Sequence, residues 1–157
     1  MGIFDKLFGK KEKRVEKTWS IINGVKTEVI KTYYNTGELS SEEYNNNGIY
    51  TNKLYRVNGH LISEKNYKNG VMVNEKTYFS NGQLWMEGNF KDEKPHGIHK
   101  TFSKNGQLIS ESIYKHDKRD GTFKDYYENG QLENEITYKK DELISMKSWD
   151  ENGKEIE

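Results

Sequence analysis

Short runs of alternating polar and apolar residues, each stopped by a glycine, fill most of the chain. The stops at Gly37, Gly59, Gly82, Gly106, Gly130 and Gly153 lie 22 to 24 residues apart, the mark of a repeat array. Four residues before each stop stands a ring: Tyr33, Tyr55, Tyr78, Phe102, Tyr126 and Trp149. Six before it stands Lys31, Lys53, Lys76, Lys100, Lys124 or Lys147. Two after it comes Leu39, Leu61, Leu84, Leu108 or Leu132, and five after it Glu42, Glu64, Glu87, Glu111 or Glu135. Eight after it come Tyr67, Phe90, Tyr114 and Tyr138, with Tyr44 one residue early in the first unit; the sixth stops at Glu157 without a complete second strand.

Each unit reads as strand, tight turn, strand, looser turn. Asn precedes the glycine at every tight turn except Thr36-Gly37. Glu128-Asn129-Gly130 and Lys104-Asn105-Gly106 suit a three-residue loop that ends in a left-handed glycine and makes a bulge. That loop sets Tyr126 opposite Leu132, Phe102 opposite Leu108 and Tyr78 opposite Leu84. A two-residue Asn-Gly turn would instead pair the lysines with the glutamates. The three-residue loop is preferred because it collects the apolar set, and simple alternation then adds Phe90, Tyr114 and Tyr138 to the leucine face. Lysine lies at the border of that face and glutamate on the reverse. Of the second turns, Lys68-Asn69-Gly70 is compact, while Lys91 to Gly97 and Lys115 to Gly121 read as longer, variable loops. The predicted fold is all-β: an antiparallel meander of about ten to twelve short strands in stacked hairpins, residues 18–157.

Residues 1–17 differ. Ile3, Phe4, Leu7 and Phe8 gather on one side of a short amphipathic helix, and six basic residues outnumber three acidic ones. The apolar run is too short to span a bilayer and lacks the features of a secretory signal, so a cytoplasmic protein is expected. The segment is read as a cover for the first strand edge; contact with an anionic membrane surface through residues 2–17 is the alternative. Open edges of such an array recruit other strands unless blunted, and the incomplete last unit is the second cover.

Composition narrows the picture. The chain has no cysteine, which removes disulfides, thiolate metal sites and thiol nucleophiles. It also has no alanine, but 11 Tyr and 14 Gly, which leans toward strands and turns. Leu, Ile, Val and Phe make up about a fifth of the chain, too little for a thick aliphatic core, so a thin, tyrosine-rich sheet is expected. Twenty-five basic residues balance 25 acidic ones, and no nucleic-acid partner is suggested.

No catalytic constellation emerges. The glutamates form a repeated series of carboxylates, whereas acid-base catalysis needs a pair in different environments. His96 and His99, beside Asp92 and Glu93, are the densest set of potential ligands, yet the turn between them folds one away from the other; no metal or cofactor is expected. The informative residues are apolar groups on the face opposite the leucines: Ile62, Trp85 and Ile109 three after the glycine, joined by Phe79, Ile113, Phe123 and Tyr127. Such a strip marks a partner surface with Trp and Tyr as anchors, unless the sheet curls over it or a homodimer closes it.

The run Tyr126-Tyr127-Glu128-Asn129-Gly130-Gln131-Leu132, followed by Glu135, Tyr138 and a lysine-rich turn, resembles the variant MORN repeat, over roughly residues 26 to 157. The resemblance implies stacked β-hairpins. It also implies a non-enzymatic binding function: in bacteria, chains of this repeat resemble antitoxins and immunity proteins of polymorphic toxin systems, which neutralise a toxin by binding it. MORN-type arrays also resemble scaffolds and lipid-associated modules, so a membrane-surface scaffold is the competing expectation.

Overall fold

The computed structural model describes residues 14–156. They form one sheet of 14 strands: β1 (Val15–Ile22), β2 (Val25–Tyr33), β3 (Leu39–Asn46), β4 (Ile49–Tyr55), β5 (Leu61–Lys68), β6 (Val71–Tyr78), β7 (Leu84–Lys91), β8 (Lys94–Phe102), β9 (Leu108–Lys115), β10 (Lys118–Arg119), β11 (Gly121–Tyr126), β12 (Leu132–Lys139), β13 (Glu142–Trp149) and β14 (Glu155–Ile156). Every pairing is antiparallel and follows chain order, with the short β10 attached to β9 beside β11. No helix occurs among the described residues. The helix expected over residues 1–17 lies outside them except at its end, where Val15, Glu16 and Lys17 already belong to β1.

The six tight turns have the expected geometry. Their glycines are left-handed, with φ between 80° and 105°. At each one the glycine N–H reaches the carbonyl three residues back, as Gly106 does to Ser103, and Ser103 N–H reaches the Gln107 carbonyl. The expected cross-strand pairs follow: Tyr33 with Leu39, Tyr55 with Leu61, Tyr78 with Leu84, Phe102 with Leu108 and Tyr126 with Leu132.

One residue later the register shifts. Thr77 pairs with Met86 and Thr101 with Ser110, so Trp85 and Ile109 have no opposite number; Ile62 is left out in the same way. These are β-bulges, and a bulge reverses the in-out alternation beyond it. Two expectations are corrected as a result. The glutamates do not point to the reverse face: Glu87 pairs with Lys76 and Glu111 with Lys100, on the side of the Tyr–Leu pairs. Phe90, Tyr114 and Tyr138 leave that side for the opposite one. The structure thus contains both registers that looked like alternatives, the Tyr–Leu pair at the turn and the Lys–Glu pair past the bulge.

The turn at Asn69-Gly70 is compact, as read, but the longer loops expected after Lys91 and Lys115 are corrected. All second turns are two-residue connections, including Asp92-Glu93, His116-Asp117 and Lys140-Asp141, whose non-glycine residues are held at φ between 52° and 73°. The extra residues of the longer units enter the strands as irregularities, as between Gly88 and Phe90 opposite β8.

A deep core is missing. Val29 is the one buried hydrophobic side chain among the described residues; the other buried ones are Thr27, Asn46, Thr51 and Ser63. Thr51 Oγ1 and Asn66 Oδ1 are 2.6 Å apart, and Asn66 Nδ2 donates to Asn74 Oδ1 at 2.7 Å, so part of the middle of the sheet is held by side-chain hydrogen bonds.

Candidate functional site

The two faces carry different chemistry. On one, the register aligns Glu16, Lys31, Glu42, Lys53, Glu64, Lys76, Glu87, Lys100, Glu111, Lys124, Glu135 and Lys147 in a single row across the strands. Ion pairs of 3.2 to 3.6 Å close along it at Lys31–Glu42, Lys53–Glu64, Lys76–Glu87, Lys100–Glu111 and Lys124–Glu135. Isolated and exposed, each pair would contribute little, about 0–1 kcal/mol. Here the lysine stems lie beside the tyrosine and leucine rows, and each interior charge has an opposite charge on both sides, so a strand that slips loses two attractive pairs at once. Tyr33 and Tyr55 add hydroxyl bonds to Glu16 and Glu42 at 2.9 and 2.8 Å. This ladder face has a shallow depression lined by Asn74, Lys76, Glu87, Gly88, Asn89 and Lys100. Its one carboxylate in the row, Glu87, stands between Lys76 and Lys100.

The opposite face carries the rings. Phe90, His99, Tyr114, Phe123 and Tyr138 stack edge to face in succession, with centroids 5.1 to 5.4 Å apart. Arg119 closes the series with its guanidinium 4.1 Å from the centre of the Tyr138 ring. His99 lies over Gly88, where a Cβ would collide with the imidazole. Burial among the rings lowers the His99 pKa, only partly opposed by the bond between its Nε2 and the Asn89 carbonyl at 2.8 Å. Further along, Tyr50 and Tyr67 pack at 5.8 Å. Burial, and then its bond to Glu43 Oε2 at 2.7 Å, push the Tyr50 phenol up to about 12.

The seven expected contact residues do not make one strip. Phe79 and Trp85 pack together near the tight turns, centroids 6.1 Å apart, with Trp85 48% exposed. Ile62 and Ile109 occupy the equivalent bulge positions and are half-buried. Tyr127 starts a tight turn and spends its hydroxyl on the Trp149 carbonyl at 2.9 Å. Phe123 belongs to the ring series. Ile113 is a correction: it pairs with Ile98 on the ladder face and sits tightly against Gly121. Simple alternation missed Phe90, His99, Tyr114 and Tyr138. The signal that finds them is the Lys–Glu series, because opposite charges six before and five after each glycine line up only if one residue bulges out between ring and carboxylate.

No turn separates His96 from His99, a further correction, since both lie in β8; His99 joins the ring series and His96 packs 5.1 Å from His116. No group of three ligating side chains converges among the described residues.

Three consecutive segments, residues 74–92, 95–116 and 119–140, match the MORN repeat variant. Each contains one tight-turn glycine: Gly82, Gly106 or Gly130. Among solved structures the chain is similar to a mutant of S. aureus TarM in complex with fondaparinux, alpha-GlcNAc-glycerol and UDP, at 9% identity and TM-score 0.45, over 75% of this chain and 23% of that one. A second crystal structure of TarM gives 10% identity and TM-score 0.44, over 68% and 22%. The chain therefore spans less than a quarter of the length of these proteins. No curated protein matches it.

Proposed function

We propose that this chain is a non-enzymatic, cytoplasmic binding protein that seats another protein on its ring face, and that the partner is a toxin domain neutralised by occlusion. The binding reading is carried by Trp85, a half-exposed ring fixed against Phe79. A side chain immobilised before contact loses little entropy on binding, which is how a single Trp becomes an anchor. The toxin partner rests on the resemblance of such repeat chains to antitoxins and immunity proteins.

Co-expression with the product of an adjacent toxin-like reading frame tests both parts. The expected result is restored growth and a complex stable through gel filtration, with Trp85→Ala weakening binding by tenfold or more at an unchanged melting temperature. Undiminished binding in both Trp85→Ala and Phe79→Ala would sink the ring-face assignment; binding without rescue would sink the toxin reading alone.

A second reading, attachment to a membrane surface, is favoured by Val15, Trp19 and Ile21, which are 58%, 64% and 69% exposed on β1 directly after the basic stretch. Flotation with anionic vesicles that disappears when Lys10, Lys11, Lys13 and Arg14 become Gln would establish it.

A further inference from the structure

Asn is followed by Gly eight times in the chain. In a flexible peptide this pair is labile, because glycine has no Cβ to block the approach of its nitrogen to the asparagine side-chain carbonyl. The fold does not leave the eight alike. Five lie at tight turns, where the glycine N–H already donates to the carbonyl three residues back, at 2.9 to 3.0 Å. At Asn58, Asn81, Asn105 and Asn129 the side-chain oxygen also accepts the N–H two residues on, at 2.9 to 3.3 Å. Asn81 and Asn129 are tied a third time: their Nδ2 atoms donate to the Lys104 and Glu151 carbonyls at 2.9 and 2.8 Å. Turning either amide onto its glycine nitrogen breaks three hydrogen bonds.

The other three are the two-residue turns after β1, β3 and β5, with Asn at φ 49° to 52° and Gly at 77° to 79°. Restraint differs among them. Before Asn23, the Ile22 carbonyl accepts from Nδ2 of the buried Asn46 at 2.8 Å, which pins the turn to β3. After Asn47, the Gly48 N–H is spent on Asn45 Oδ1 at 3.1 Å. Asn69 has neither tie: its amide and the Gly70 N–H have no hydrogen-bond partner among the described residues. Both residues are exposed, and nothing stands within 4 Å of the Gly70 Cβ position.

We propose that Asn69 is a site of spontaneous deamidation, selected from the eight by its lack of hydrogen bonds. When the hairpin end opens, the Gly70 nitrogen gives its proton to water and bonds to Asn69 Cγ. The Cγ–Nδ2 bond breaks, and Nδ2 leaves as ammonia. One water then opens the succinimide, at Cγ to give aspartate or at the main-chain carbonyl to give isoaspartate. Isoaspartate routes the backbone through the side-chain methylene and adds an atom to a loop of two residues, so the Lys68–Val71 pair that closes it must shift. The modification therefore loosens the end of the β5–β6 hairpin and puts a carboxylate beside Lys68.

Peptide mapping by mass spectrometry, after timed incubation of the full chain at mildly alkaline pH, reads the rate at each Asn. Asn69 should deamidate at least about tenfold faster than Asn81 and Asn129, with Asn23 and Asn47 between, and in denaturant the eight rates should converge. Asn45→Ala, at an exposed position, frees the Gly48 N–H and should raise the Asn47 rate several-fold while leaving Asn69 unchanged. A folded chain in which Asn69 reacts no faster than Asn81 and Asn129 overturns the proposal. So does a gap that persists in denaturant, or an Asn47 rate unmoved by Asn45→Ala in a variant whose circular dichroism is that of the wild type. If that variant fails to fold, the comparison of folded and denatured wild type decides alone.

Discussion

On the ladder face, lysine meets glutamate at every strand junction from Glu16 to Lys147. On the ring face, the row one residue away changes with each junction: Glu43 opposes Asn52, Lys65 opposes Glu75, Gly88 opposes His99 and Phe123 opposes Ile136. The repeated face favours one alignment of the strands, since a slipped strand carries its charge out of line with the opposite charges on either side. The varied face is free to differ between units, and it collects the rings. A surface that repeats is poorly suited to recognise one particular partner, whereas one that varies can. This contrast is why the proposed binding residues lie on the ring face.

Ring-face packing gives the largest expected effect. Tyr114→Ala removes a ring wedged between His99 and Phe123 and should cost about 3 kcal/mol. That is a melting temperature lower by roughly 6–12 °C, read by thermal denaturation. A loss no greater than that of Trp85→Ala would mean the ring series is decoration on the ladder face. Next comes Gly106→Val at about 2 kcal/mol, since Gly106 sits at φ 88° and a β-branched residue resists that conformation. Wild-type stability there would contradict the turn on which both faces depend.

Charge in the ladder ranks third. Glu111→Lys places a cation between Lys100 and Lys124 and should cost about 1–2 kcal/mol in low salt, less in high salt. Salt-independent loss would show that the row acts through packing rather than charge. A smaller change has the opposite sign: Glu93→Gly should stabilise by about 1 kcal/mol, because Glu93 is held at φ 61° in a two-residue turn.

The weakest effect concerns pH. The folded His99 pKa lies below its unfolded value of about 6.5, so below that pH the unfolded chain binds a proton that the folded one refuses. Stability should therefore fall as pH drops through about 6.5 and level off once the folded value is passed. His99→Phe should flatten this part of the melting-temperature profile; an unchanged slope would assign it to other groups.

The sequence by itself determined the period, the left-handed turn glycines, the Tyr–Leu pairs and the all-β meander, because each follows from local turn chemistry repeated at equal spacing. It did not determine which face carries which ring. That depended on one unpaired residue, Trp85 and its equivalents, and strict alternation carries no mark of a bulge until the partner strand is in place. The placement of Glu111 beside Lys100, Tyr114 beside His99, and Ile113 on the face opposite Phe123 was therefore settled by strand pairing, where side chains distant in the chain meet and the register that satisfies both charge and packing prevails.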